Sequence, residues 1–215
     1  MAPPKSIYNS HKIKLVSFAI FILVGLIVTG SVFTREKFHL NEKVLQKAYE
    51  KYGQDAKMRL IHWENSLKKD SIPEREKLET INSFFNQQMV FVNDTDLYGV
   101  KDYWATPVEF ISRGAGDCED FAIAKYFSLK IMGVDEAKLR IAYVKALRQN
   151  IFHMVMLYYS DPAAEPLVLD NLVDSIRSAS ERRDLLPIFT FNGAGLWLSQ
   201  DRRQGKLARK SSGLT

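Results

Sequence analysis

The sequence predicts an α+β fold in which helices come first along the chain and antiparallel strands follow. Between residues 41 and 133, apolar residues recur every three or four positions, which is the spacing of one helix face. Between residues 139 and 171, three short apolar runs are separated by polar turns. Segregated helices and strands are typical of this class, and short turns between strands favour antiparallel pairing.

The N-terminal half of the chain is predicted to hold three helices before residue 90. Two lie within residues 41–66 and are separated by Gly53, and a third spans residues 73–89, with Pro73 in its first turn. Residues 90–92 are predicted to be extended. The polar, acidic and aromatic residues 93–105 show neither helical nor strand period and predict a loop.

Two further helices are predicted before the strands. Thr106 and Pro107 match an N-cap and a proline at the first helical position, so a short helix should follow and end at the glycines of residues 114–116. A longer helix should begin at Asp117 or Cys118 and stop at Gly133. The predicted strands are residues 139–146, residues 153–159 and residues 167–171.

The N-terminus has the pattern of an export signal. Three lysines precede an uncharged apolar run at residues 15–32, which is about the length that spans a bilayer. The positive flank should stay cytoplasmic, so the rest of the chain is expected to face the periplasm or exterior. We expect residues 1–36 to be a signal peptide or an inner-membrane anchor. The lack of an Ala-x-Ala cleavage site favours the anchor, and a buried core helix is the alternative.

The charge distribution argues against nucleic-acid binding. The net charge is +5, but residues 201–215 hold five basic residues against Asp201 alone. The remainder is nearly balanced and has no basic face interleaved with aromatic residues. The chain length of 215 residues favours one catalytic-sized domain, which we place at residues 37–200. We expect residues 201–215 to be a basic, disordered tail.

The chain has a single cysteine, Cys118, at the predicted start of a helix. One cysteine cannot form an internal disulfide, and an idle thiol is a liability in an oxidising compartment, so a chemical role is favoured. Unpaired backbone N–H groups and the helix dipole at this position favour a thiolate and could stabilise an oxyanion. The alternative is that Cys118 is a small buried apolar residue.

His153 and Asp170 are the candidate partners of this nucleophile. His153 begins one predicted strand and Asp170 closes the next, so antiparallel pairing of the two strands would bring them together. His153 would act as the base and Asp170 would orient it. Taken singly, His153 could be structural and Asp170 could cap a turn. No further histidine or cysteine lies at zinc-site spacing, so a zinc hydrolase gains no support.

Carboxylates crowd the candidate nucleophile. Asp117, Glu119 and Asp120 would raise the pKa of the thiol unless a cation offsets their charge. Hard oxygen ligands suit Ca²⁺, although the twelve-residue EF-hand spacing is absent. The alternative is that these residues are only favourable charges at a helix N-terminus. Four residues of the preceding loop could complete a calcium site: Asn93, Asp94, Asp96 and Asp102.

Several segments together resemble the bacterial transglutaminase-like cysteine proteinases of the LapG type. The resemblance runs from about residue 90 to residue 197 and includes short blocks at residues 183–185 and 191–192. The segments that carry it are DYWATP at residues 102–107, GDCEDFAIAKY at residues 116–126, HMV at residues 153–155 and PLVLDN at residues 166–171. The GDCED block joined to the HMV and LVLDN blocks is specific.

The resemblance implies a papain/transglutaminase-like fold, with N-terminal helices and the Cys118 helix packed on an antiparallel sheet. It implies a Cys118–His153–Asp170 protease that requires Ca²⁺, which favours the calcium interpretation of Asp117, Glu119 and Asp120. It also suggests that the Trp104 indole donates to an oxyanion, although Trp104 could instead be core or line the cleft.

The resemblance further implies a biological setting. Such a periplasmic enzyme would cut the N-terminal region of a large surface adhesin near paired alanines, so releasing the adhesin and dispersing biofilm. An inner-membrane receptor that senses cyclic di-GMP would control it. Two alternatives remain open at this point: a transglutaminase-type acyl transferase with the same triad, and a membrane-tethered binding module that does not catalyse.

Overall fold

The computed structural model describes residues 38–198 and residues 206–210. The predicted export segment, with its apolar residues 15–32, lies outside the described residues. None of the helices that the structure describes has the length and apolarity needed to cross a membrane.

The six α-helices of the described chain lie between residues 42 and 131. Gly53, with a φ of +84°, ends α1 and separates it from α2. Thr106 caps α5 by accepting a hydrogen bond from the backbone N–H of Glu109, and Pro107 is its first residue. The helices are α1 (Glu42–Tyr52), α2 (Gln54–Leu67), α3 (Glu74–Gln88), α4 (Asp94–Leu97), α5 (Pro107–Arg113) and α6 (Cys118–Ile131), and a 3₁₀ turn follows at Glu136–Lys138.

The strands form one large antiparallel sheet and one small parallel pair. The pair joins β1 to β2, with Phe91 opposite Gly116. The sheet has the order β6-β5-β4-β3-β7-β8-β9, and all its neighbours are antiparallel. The strands are β1 (Val90–Phe91), β2 (Ala115–Gly116), β3 (Leu139–Ala146), β4 (Ile151–Tyr158), β5 (Leu167–Leu169), β6 (Arg177–Ser178), β7 (Leu185–Asn192), β8 (Gly195–Leu198) and β9 (Lys206–Lys210).

Helix α6 lies at the centre of the domain. It packs on β3 and β4 on one side and on α3 and α5 on the other. Ten of its fourteen residues are buried, as expected for a helix enclosed on nearly every side. The main core fills the space between helices and sheet, and a smaller apolar cluster lies on the other sheet face around Val144, Val155 and Val168.

The α+β class and the order of elements agree with the sequence analysis. The helices before residue 90, the Thr106-capped helix and the Cys118 helix all form, and so do three strands near the predicted bounds. Three local predictions were wrong. Strand β5 ends at Leu169, so Asp170 follows the strand that it was predicted to close. The strand that carries His153 begins two residues earlier, at Ile151, and the predicted loop of residues 93–105 contains the short helix α4.

The strands after residue 184 were missed by the sequence analysis. Strand β7 contains Pro187, which cannot donate to the ladder and reads as a break, but a register shift opposite Val144 accommodates it. Strand β9 lies within the segment predicted to be a disordered tail, and it pairs with β8. The disorder prediction is therefore wrong for residues 206–210, and the rest of residues 201–215 lies outside the described part.

Replacing Phe85 by alanine should test the packing of helices around α6. Phe85 in α3 is 0% exposed and stacks on Phe110 of α5 at 5.9 Å between ring centroids. Its removal should lower the free energy of unfolding by about 3–5 kcal/mol, because a cavity remains. The control Phe127→Ala removes a helical phenylalanine that is 44% exposed and should cost about 1 kcal/mol or less. Equal losses in urea denaturation would contradict this core assignment.

Candidate active site

Cys118 is the first residue of α6, and two positions shortly before it, Gly114 and Gly116, require glycine. Gly114 closes α5 with a φ of +76°. A side chain at Gly116 would collide with Asp120 at 2.3 Å and with Phe110 at 2.7 Å. The segment therefore approaches α6 closely and delivers Cys118 to the helix N-terminus, where backbone N–H groups lack helical partners.

His153 and Asp170 form a buried pair beside Cys118. The backbone N–H of Met154, next to His153 on β4, donates to the sulfur of Cys118. The His153 Nε2 lies 2.7 Å from Oδ1 of Asp170, and both residues are 1% exposed. Because Asp170 engages Nε2, Nδ1 is the ring nitrogen left to exchange a proton with a nucleophile. The structure thus brings together the three residues that the sequence analysis proposed as a triad.

Arg182 completes this pair and was not singled out from the sequence. Its Nη2 donates to Oδ2 of Asp170 at 2.8 Å, and its guanidinium also binds both carboxylate oxygens of Asp184. The backbone N–H of Leu172 donates to the other oxygen of Asp170. Burial would raise the pKa of Asp170, but the hydrogen bond and charge of His153, with Leu172 and Arg182, lower it to about 2. Asp170 is therefore held as a carboxylate.

A cleft of about 410 Å³ opens above Cys118 and His153. Asp117 and Glu119 line one part of it, while Asp170 is buried behind His153. Five large apolar side chains, each at least 40% exposed, also line it: Phe91, Trp104, Ile151, Phe152 and Leu172. So many exposed apolar groups around one thiol indicate a surface that receives another molecule.

Trp104 lies in this cleft, as one of its sequence interpretations proposed. Its ring stacks on Phe191 at 6.3 Å, and its indole N–H donates to Oδ1 of Asp102 at 2.9 Å. An oxyanion would have to compete with that carboxylate for the indole. The arrangement therefore fits a cleft-lining role better than the alternative role as an oxyanion donor.

A cluster of carboxylates adjoins the thiol. Asp94, Asp117 and Asp120 each offer an oxygen within 4.8 Å of the others, and Asp94, Asp102 and Glu119 do the same. The acidic loop thus contributes Asp94 and Asp102, whereas Asp96 belongs to neither group and Asn93 lines the cleft. Three oxygens are buried without a hydrogen-bond partner: Oδ1 of Asp94, Oδ1 of Asp117 and Oδ2 of Asp120.

The cluster makes the local electrostatics unfavourable for anions. Burial and then Glu119 raise the pKa of Asp117 to about 9, and burial raises the pKa of Asp120 to about 6. Burial, followed by the charge of Glu119, also raises the pKa of the Cys118 thiol, which donates to Oε2 of Glu119 at 3.1 Å. Orphaned buried carboxylate oxygens at such spacing fit a hard divalent cation such as Ca²⁺.

Comparison with known proteins gives a consistent assignment. The sequence model of the family described as bacterial transglutaminase-like cysteine proteinase matches residues 50–184. A structure of Legionella pneumophila LapG is 44% identical, covers 74% of this chain and 87% of that chain, and gives a TM-score of 0.66. No curated protein gave a significant match.

Two further structures of Legionella pneumophila LapG differ in their treatment. The calcium-bound structure is 40% identical, covers 81% of this chain and 98% of that chain, and gives a TM-score of 0.67. The EGTA-treated structure is 42% identical, covers 80% and 91%, and gives a TM-score of 0.68. The match over most of the chain and the similarity to LapG structures lead to one conclusion: the chain belongs to the bacterial transglutaminase-like cysteine proteinases.

Proposed function

We propose that this proteinase is a calcium-dependent periplasmic endopeptidase that uses Cys118, His153 and Asp170. Its substrate would be the N-terminal region of a large surface adhesin, cut near paired alanines, so that the adhesin is released and biofilm disperses. An inner-membrane receptor for cyclic di-GMP would control it. The observation that carries the catalytic part is the convergence of the helix-terminal thiol and the buried His153–Asp170 pair on one cleft.

The proposed reaction begins at the thiol of Cys118. The Nδ1 of His153 takes the thiol proton, and the sulfur of Cys118 attacks the carbonyl carbon of the scissile peptide. The first backbone N–H groups of α6 stabilise the resulting oxyanion. His153 then returns the proton to the leaving amine, and a water activated by the same imidazole hydrolyses the thioester. Asp170, held by Arg182, keeps the imidazole in the tautomer that this sequence requires.

Calcium would be held by the carboxylates that adjoin the thiol. The oxygens of Asp94, Asp117 and Asp120 are close enough to share one ion, and so are those of Asp94, Asp102 and Glu119. When bound, the cation would supply the positive charge that offsets these carboxylates and so favours a thiolate at Cys118. Support comes from the three orphaned oxygens and from the calcium-bound structure of LapG, a relative with 40% identity.

The substrate side of the proposal is supported by the lining of the cleft. Around Cys118 and His153 the cleft is lined mostly by apolar and aromatic side chains and by carboxylates, with Asn93 as a neutral polar group. Such a lining suits small uncharged residues next to the scissile bond, such as paired alanines, and disfavours acidic ones. The periplasmic location and the membrane-bound partner rest on the lysine-flanked apolar segment at residues 15–32 and on the similarity to LapG.

Cleavage of an adhesin should require Cys118 and His153. Incubation of the protein in calcium buffer with the N-terminal region of a co-occurring large adhesin should give a new fragment on a gel. Cys118→Ala should give none, and His153→Ala should be slower by at least about 1000-fold, because residues that act as a unit lose most activity singly. His62→Ala is the matched control, since His62 is exposed on α2 and far in sequence from the cluster.

Two results would change this assignment. Near wild-type cleavage by Cys118→Ala would exclude Cys118 as the nucleophile. Incorporation of a labelled amine into the adhesin without a new fragment would favour the acyl-transferase alternative, because an amine would then replace water in the attack on the thioester.

Chelation by EGTA should stop the cleavage, and added calcium should restore it. Magnesium should substitute poorly because it demands a smaller octahedral site and keeps its water. In isothermal titration, Cys118→Ala protein should bind calcium, and adding Asp94→Asn should weaken that binding at least about 10-fold. Asp96→Asn is the control, since Asp96 lies on the same short helix but outside the cluster. Unchanged cleavage in EGTA would contradict the calcium requirement and favour the alternative that the carboxylates are only charges at a helix N-terminus.

A further inference from the structure

Lys125 is a buried cation that the proposed reaction does not use. It lies seven residues after Cys118 on α6 and is 1% exposed. Its Nζ donates to Oδ1 of Asn82 at 2.8 Å and to Oδ1 of Asn86 at 2.7 Å. Both asparagines lie on α3, so the amine joins the nucleophile helix to a neighbouring helix.

The lysine fixes the direction in which both amides face. An ammonium group only donates hydrogen bonds, so each asparagine must present its oxygen to Lys125 and its NH₂ group to the opposite side. There, Nδ2 of Asn86 donates to the backbone oxygen of Asp170 at 2.8 Å and to Oδ1 of Asp174 at 3.1 Å. The Nδ2 of Asn82 donates to the backbone oxygen of Asp174 at 2.7 Å.

The segment of residues 170–174 depends on these contacts. It follows the three-residue strand β5, and it contains no residue of a helix or strand. Asparagine NH₂ groups hold its backbone at both ends, at Asp170 and at Asp174. Asp170 starts this segment, so its carboxylate position relative to His153 is set from α3 and α6 as well as from Arg182.

Keeping a cation here is energetically unfavourable in itself. Burial lowers the pKa of Lys125 to about 7, although the charges of Asp170 and Asp174 oppose that shift. An apolar side chain of similar volume at such a site is often neutral or stabilising. Fold stability therefore gives a weak reason for a lysine at this position, whereas the ordering of two amides gives a specific one.

We propose that Lys125 is a positioning residue that, through Asn82 and Asn86, fixes the backbone of residues 170–174 so that Asp170 holds His153 at Cys118. This inference rests on the proposed function, since it assigns Lys125 a role in the same reaction. The network connects α6, which carries Cys118, to the segment that begins at Asp170. These two residues are 52 positions apart in the sequence.

Lys125→Met should lower kcat about 10- to 100-fold while leaving KM unchanged, because misplacement of a catalytic group by about 1 Å is sufficient for such a loss. The assay uses the full chain in calcium buffer and the adhesin fragment. Lys77→Met is the matched control. Lys77 is also buried, but its amine binds the backbone oxygen of Met132 at 2.9 Å, so its loss should affect stability without lowering kcat.

A double-mutant cycle separates positioning from general loss of structure. If Lys125 acts through Asp170, adding Lys125→Met to Asp170→Ala should cause no further loss of kcat, whereas two independent defects would multiply. Asn86→Leu provides a second route should Lys125→Met fail to fold, because Asn86 is only partly buried. It should reproduce the fall in kcat and the same non-additivity with Asp170→Ala.

The outcomes distinguish this inference from the proposed function. A wild-type kcat in Lys125→Met would overturn the positioning role alone. If that variant does not fold, a wild-type kcat in Asn86→Leu would do the same. Losses that multiply with that of Asp170→Ala would also overturn the positioning role alone. Wild-type activity in Asp170→Ala itself would overturn both the triad and the role of Lys125.

Discussion

The packing of α6 between the helices and the sheet is the constraint on which the site depends. Helix α6 is enclosed by α3 and α5 on one side and by β3 and β4 on the other, and this packing sets the position of its N-terminus. That position places the sulfur of Cys118 against the backbone of Met154, the neighbour of His153. Cys118 and His153 thus come to line one cleft through the packing of a helix on a sheet, and Asp170 pairs with His153 from just beyond the end of β5.

The same packing creates an electrostatic problem at the nucleophile. The helix that delivers Cys118 also delivers Asp117, Glu119 and Asp120, and α4 adds Asp94. Burial and mutual repulsion raise the pKa values of Asp117, Asp120 and the thiol, so the cluster is stable as it stands only when protons or a cation reduce its charge. The proposed calcium ion would supply the positive charge that offsets these carboxylates.

On the other side of Cys118, charge is balanced by the protein itself. Asp170 receives hydrogen bonds from His153, Leu172 and Arg182, and Arg182 in turn binds Asp184. Lys125 adds a second cation behind the same segment, without a direct bond to the carboxylate of Asp170. The acid is thereby surrounded by donors, in contrast to the carboxylates beside Cys118, three of which have a buried oxygen that lacks one.

Most of the fold was predictable because its signals are local, and the candidate residues Cys118, His153 and Asp170 were singled out by their places at the ends of predicted elements. Helix periodicity, the Thr106 cap and the glycines before Cys118 lie within a few residues of what they determine. Arg182 and Lys125 were missed because their partners lie on other elements, and a charged residue in a sequence reads first as a solvated one. Two further features also depend on tertiary contacts: the pairing of β7 with β3, and the presence of Asp94, instead of Asp96, in the carboxylate cluster.

The central claim is that Cys118, His153 and Asp170 act as one unit, and the rate of iodoacetamide alkylation at Cys118 tests it without any substrate. In calcium buffer at neutral pH, wild-type protein should react far faster than His153→Ala or Asp170→Ala, while free cysteine serves as the reference thiol. A variant that combines His153→Ala with Asp170→Ala should react no more slowly than His153→Ala alone, since Asp170 would act only through His153. Equal alkylation rates in wild type and both single variants would contradict the account.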